Sequence, residues 1–164
     1  LAPNEILDQS REIIVREFDN QSKTMNDGMD ISLCAFIRKN DGSTRKVLWS
    51  GANNPLYCLK KGKVQEIKPD KMPVGRGVKS GHFSLKEVPF ERGDVFYFSS
   101  DGFPDQFGGP QGKKFKTRGF KQLLEEIHIL DFQSQKKKVT DTFDDWKGEY
   151  DQLDDVCVMG VEVK

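Results

Sequence analysis

Asp94-Val95-Phe96-Tyr97-Phe98-Ser99-Ser100-Asp101-Gly102 runs an apolar strand directly into an acidic turn. Near the other end of the chain, Asp154-Asp155 opens a second apolar run, Val156-Cys157-Val158-Met159-Gly160-Val161. An apolar strand buries itself and fixes its ends, so a carboxylate at such an end is expected to be held beside the core. Two of them at neighbouring ends of one sheet suit a hard divalent cation, which takes oxygen ligands.

Outward from these strands the pattern alternates between two periods. Pro3-Asn4 starts a helix carrying Ile6, Leu7, Ile13, Ile14 and Phe18, and Asp19 to Asn26 reads as a loop. Period two begins at Met29, with Ile31, Leu33, Ala35 and Ile37 on one face and Ser32, Cys34 and Phe36 on the other, the reading of an inner strand. Asn40-Asp41-Gly42-Ser43 turns it into Val47-Leu48-Trp49, and Lys61-Gly62 makes a second tight turn. Pro69 to Gly77 reads as an ordered loop, His82 to Phe90 as a strand, and Phe103 to Lys116 as a flexible glycine-rich segment. Thr117 to Leu130 and Phe132 to Lys147 are two helices, the first with Phe120, Leu123, Leu124 and Ile127 on one side. Strands with helices at the ends make an α+β fold with a mainly antiparallel sheet.

The chain of 164 residues is expected to form a single domain over 1–164, since neither a repeat nor a linker interrupts it. Lys+Arg and Asp+Glu are both 26, which argues against a general nucleic-acid binder. No apolar run is long enough to span a bilayer, so no membrane contact is expected of this segment. Cys34, Cys58 and Cys157 are odd in number and widely spaced, each in a strand-like run. Buried reduced thiols, and hence a cytoplasmic setting, account for them better than disulfides or zinc. Leu1-Ala2-Pro3 lacks an initiating methionine, and the expectation is an excised piece of a longer protein.

Each acidic pair also has a plain structural reading. Asp-Gly is a common turn dipeptide, and it recurs here at Asp27-Gly28 and Asp41-Gly42. Asp154-Asp155 equally describes a solvated strand start, and Asp144-Asp145 shows adjacent acids on a helix surface. His82 and His128 lie apart and form no zinc pair. Lys113, Lys114, Lys116 and Arg118 are either a solvated face or a guide for a phosphorylated partner.

Five segments taken together go further. Asp27-Gly28-Met29-Asp30-Ile31-Ser32, Ser50-Gly51-Ala52-Asn53-Asn54-Pro55-Leu56, Met72-Pro73-Val74-Gly75, Gly93 to Gly102, and Gln152-Leu153-Asp154-Asp155-Val156 occur in this order. From about Asn4 onward the chain resembles the type 2C metal-dependent serine/threonine protein phosphatases (the PPM family), in their bacterial SpoIIE-like branch. The resemblance implies a sandwich of mainly antiparallel sheets flanked by helices, here missing the N-terminal strands. It implies two Mn²⁺ or Mg²⁺ ions per complete site and a water bridging them that attacks the phosphoester. Carried over by position, Asp101 is a metal ligand with Gly102 as its adjacent turn. Asp154 is a second ligand with Asp155 as the alternative, and Asp27 and Asp30 lie near a weaker third metal. Lys113 and Lys114 are candidate substrate contacts.

The family's strand ending in a bridging Asp is expected upstream of Leu1, leaving this piece weak or inactive alone. By resemblance the substrate is a phosphoserine or phosphothreonine protein of the anti-sigma-factor-antagonist type, and the parent chain carries an upstream sensor or receiver module. The alternative is a non-catalytic interaction module on the same fold.

Overall fold

The computed structural model describes residues 1–19, 28–76 and 81–164, the side chains of 18 and 19 excepted. In chain order the elements are α1 (Pro3–Asp19), β1 (Gly28–Met29), β2 (Ile31–Arg38), β3 (Thr44–Ala52), β4 (Leu56–Lys60), β5 (Lys63–Ile67), β6 (Val74–Gly75) and β7 (Lys86–Glu87). They continue with β8 (Val95–Ser99), α2 (Gly102–Asp105), β9 (Phe107–Gly108), β10 (Lys113–Lys114), α3 (Lys116–Ile127), α4 (Phe132–Lys147) and β11 (Val158–Glu162). The described residues form an α+β fold with antiparallel sheets and four helices. It packs as two compact units, one holding 1–56, 67–93 and 163–164, the other 57–66 and 94–162.

In the first unit β2, β3 and β7 form one sheet in that order, and β1 pairs with β6. The hairpin at residues 39–43 closes with Gly42 N–H donating to the Lys39 carbonyl at 3.0 Å, while Asp41 accepts from the Ser43 N–H at 2.8 Å. β2 is an edge strand here rather than an inner one, and its residues are half-buried or exposed on both faces. Leu7, Ala52, Met72, Val74 and Phe83 close the core, while Ile6 and Ile13 of α1 stay exposed. Only Lys86–Glu87 of the expected 82–90 strand pairs in a sheet. Its neighbours serve side-chain contacts instead: Asp8 takes the Phe83 N–H at 3.1 Å and Asp70 takes the Ser84 N–H at 2.7 Å.

The second unit builds a sheet in the order β11-β8-β4-β5. The Lys61-Gly62 turn adopts left-handed backbone at both residues, φ 49° and 76°, the geometry of a tight hairpin. Phe120, Leu123, Leu124 and Ile127, at the i, i+3, i+4, i+7 spacing, bury one face of α3. They join Tyr57, Leu59, Val95, Tyr97, Phe103 and Phe143 in one core. α4 starts where Asp131 accepts the Gln133 and Ser134 N–H groups at 2.9 and 3.0 Å.

Residues 103–116 form α2 and the β9–β10 hairpin and pack against the core. Phe103 is fully buried, with its ring 5.1–5.2 Å from those of Phe115, Phe120 and Phe143. Gly109 N–H donates to the Trp146 carbonyl at 2.8 Å, which seats the β9–β10 hairpin on the end of α4. Gly108 and Gly109 permit close packing against Trp146, and Gly112 against Tyr150.

The three thiols are free, as expected, but only Cys58 is buried. Cys34 is half-buried on β2, an edge strand among the described residues, and Cys157 is exposed in the loop before β11.

Candidate metal-binding end of the sheet

β11 pairs antiparallel with β8, and the register sets Val158 opposite Ser99. The exit of β8 and the entrance of β11 therefore share one end of the sheet, which brings Asp101 and the 151–157 segment to the same place. Three features differ from expectation. Asp154 and Asp155 do not open the strand, which begins at Val158. They lie in the preceding loop, and both are exposed, as is Asp101. Exposure to water thus screens the repulsion of the adjacent acids.

Asp101 stands at the N-cap of α2 and makes no capping bond with its side chain. Its position comes from its neighbours, since Gly102, Phe103 and Pro104 are all buried. Gly102 is required by close approach rather than by a left-handed turn. A Cβ there would lie 2.5 Å from the Asp155 carbonyl oxygen and 3.2 Å from a methyl of Val156. The backbone of one acidic segment therefore lies directly against that of the other.

Two polar side chains join these segments, and neither stood out in the sequence. Ser100 Oγ donates to the Asp155 carbonyl at 2.8 Å and accepts the Cys157 N–H at 2.9 Å. The Ser100 N–H also donates to the Cys157 carbonyl at 3.0 Å. Gln106, at the C-cap of α2 and only 1% exposed, donates from Nε2 to the Asp151 carbonyl at 2.9 Å. Its Oε1 accepts the Leu153 N–H at 3.4 Å. Ser100 lies inside the Ser-Ser-Asp-Gly segment, but its partners are 55 and 57 residues away. Gln106 follows Asp105 in a stretch of Phe, Pro and Gly, with no periodicity to mark it.

The donor chemistry fits a hard divalent cation. Asp101, Asp154 and Asp155 offer only carboxylate oxygens, and among the described residues none of them forms an ion pair that would occupy its charge. Asp154 Oδ1 accepts the Asp155 N–H at 2.7 Å, which orients its carboxylate. Among the described residues no group of three or more His, Cys, Asp or Glu side chains is placed to hold a metal ion. One or two carboxylates with several waters and phosphate oxygens is the mode by which Mg²⁺ is usually held.

Of the other expected residues, Asp27 lies outside the described residues. Asp30 belongs to the first unit and accepts from Asn53 Nδ2 at 2.8 Å. Lys114 is engaged, its Nζ 2.9 Å from Asp105 and 5.8 Å from the centre of the Phe107 ring. Lys113 is exposed beside it. His82 and His128 are exposed, bonded to Asp8 and to the Glu125 carbonyl. A cavity of about 440 Å³ in the second unit is lined by Tyr97, Phe132, Val139, Phe143, Gln152 and Val156 among others, but by none of the three acids.

The family model for Stage II sporulation protein E (SpoIIE) matches residues 1–164. The chain belongs to the SpoIIE family. Solved structures agree with this assignment. The SiaA-PP2C domain of Pseudomonas aeruginosa superposes with a TM-score of 0.82 at 27% identity, covering 99% of this chain and 60% of that one. The phosphatase domain of SpoIIE from Bacillus subtilis, presoaked with Mn, gives 0.60 at 13%, covering 97% and 70%. The PPM Ser-Thr phosphatase MsPP of Mycobacterium smegmatis, in complex with cacodylate, gives 0.64 at 13%, covering 99% and 75%. These last two show the shared PP2C-like fold. The chain spans about 60% of the SiaA domain it matches. No curated protein sequence matches significantly.

Proposed function

We propose that this SpoIIE-family chain forms part of a metal-dependent protein phosphatase that acts on phosphoserine or phosphothreonine in a signalling protein. One observation carries the reading: the loop bearing Asp154 is bonded through Ser100 to the strand end bearing Asp101. Asp101 and Asp154 would hold a divalent cation, Mn²⁺ or Mg²⁺. The remaining positions fall to water, to phosphate oxygens, or to a carboxylate from beyond these residues. When bound, such a cation supplies an acidified water and offsets charge on the phosphoryl oxygens. The relatives' manganese soak and bound cacodylate, a phosphate-like anion, support that chemistry.

The chain's own residues orient the site. Ser100 and the Gly102 backbone fix the acidic loop, and Phe103 anchors Asp101 to the core. Lys113, with Lys116 and Arg118, would draw a phosphorylated protein toward the exposed end, while Lys114 braces Asp105. An anti-sigma-factor antagonist is the substrate class that the SpoIIE assignment favours, with an upstream sensor or receiver module as the input. The cytoplasm is the corresponding compartment, and no helix among the described residues is long and apolar enough to cross a membrane.

A second reading, a non-catalytic interaction module, draws on the absence of a three-group metal cluster among the described residues. Mn²⁺-dependent hydrolysis of p-nitrophenyl phosphate by the full-length gene product separates the two. Activity that disappears in Asp101→Asn supports the phosphatase, and folded protein that is silent with every divalent metal supports the module.

A further inference from the structure

We infer that Gln106 and Ser100 are positioning residues that set the metal affinity of the site by pinning the 151–157 loop on both sides of Asp154. The inference rests on the phosphatase reading above and deepens it.

Residues 151–155 are all exposed, and Leu153 keeps 62% of its surface. Val156 packs the end of the loop against the core, but hydrophobic burial does not fix the 151–155 stretch. What fixes it is polar. Gln106 takes the Asp151 carbonyl and the Leu153 N–H, and Ser100 takes the Asp155 carbonyl and the Cys157 N–H. Asp154 is the residue left between two anchored neighbours.

Gln106 is itself held firmly. Nε2 also donates to the Phe107 carbonyl at 2.9 Å, and the Gln106 carbonyl accepts from the Phe115 N–H at 3.0 Å and Trp146 Nε1 at 3.1 Å. Its helix, α2, carries Asp101 at one cap and Gln106 at the other. One four-residue helix thus sets the position of both carboxylates. A cation needs its ligands at fixed separation, so loosening either brace lowers affinity without removing a ligand. Outer partners of metal ligands typically contribute about 10–100-fold in affinity.

The test is Mn²⁺ binding to the full-length gene product, read from the electron paramagnetic resonance of free Mn²⁺. The proteins are wild type, D101N, Gln106→Leu, Ser100→Ala and Ser100→Thr, with thermal melting of each. The expected result is a dissociation constant raised roughly tenfold in Gln106→Leu and in Ser100→Ala, with wild-type affinity in Ser100→Thr. A purely structural role would lower the melting temperature and leave the dissociation constant of the folded protein unchanged. If Gln106→Leu does not fold, the Ser100 pair carries the test. D101N losing Mn²⁺ while Ser100→Ala and Gln106→Leu bind like wild type overturns the inference alone. Wild type and D101N binding alike, or neither binding, overturns the phosphatase reading and the inference with it.

Discussion

Replacing Gly102 by alanine sets two effects of opposite sign against each other. Gly102 opens α2 with backbone dihedrals open to any residue, so alanine would stabilise by about 0.4–1 kcal/mol by restricting the unfolded chain. Against this, the new Cβ would sit 2.5 Å from the Asp155 carbonyl oxygen and 3.0 Å from its carbon. Neither backbone is the end of a flexible side chain, so the strand end and the loop must part by roughly half an ångström or more, an overpacking cost of about 1–3 kcal/mol. At mid-range values, about 2 against about 0.7 kcal/mol, the clash wins by roughly 1 kcal/mol, a fall of roughly 2–5 °C in Tm. The same displacement separates Asp101 from Asp154, and misplacements near 1 Å cost up to about a hundredfold in rate. The assay is thermal melting beside Mn²⁺-dependent hydrolysis of p-nitrophenyl phosphate by the full-length gene product. A Gly102→Ala protein that melts above wild type with unchanged activity would refute the close approach and the site geometry built on it.

Other perturbations separate anchoring from chemistry. Phe103→Ala removes a fully buried ring and is expected to cost about 3–5 kcal/mol, seen as a lower urea midpoint. Burial pushes the Cys58 thiol up to about 12, so at pH 8 dithionitrobenzoate should label exposed Cys157 quickly and Cys58 only after unfolding; equal rates would contradict the core. The Ser134 backbone N–H, then the Ser134 hydroxyl, holds the Asp131 carboxyl below its ordinary 3.8. A depressed folded value means stability that is present above the ordinary value and lost as pH falls through the folded one. Asp131→Ala should therefore unfold at lower urea than wild type at pH 7, with the gap closing in acid; a gap independent of pH would show that the carboxylate charge is not what caps α4.

Much of the fold was legible because its signals are local. The period-3.6 stripe of α3 and the Lys61-Gly62 turn each depend on residues close together in sequence. Asp101 and Asp154 were assigned to one metal site through the family resemblance, and the β8–β11 register accounts for the proximity of the two segments. What could not be read depends on partners distant in sequence. The glycines after Phe103 read as slack until Trp146 is laid against them. β2 looks like an interior strand until the sheet order makes it an edge, which leaves Cys34 half-buried, and Cys157 is exposed because β11 starts one residue after it. Gln106 touches residues 45 and 47 positions away, and no pattern around it announces those bonds.

The central claim is that Asp101 and Asp154 share a divalent cation, and anomalous diffraction at the manganese edge tests it most directly. Crystals of the full-length gene product grown with Mn²⁺ should show a peak within about 2–2.6 Å of carboxylate oxygens from both residues. A peak held elsewhere, or by Asp155 with Asp154 turned away, would contradict the account.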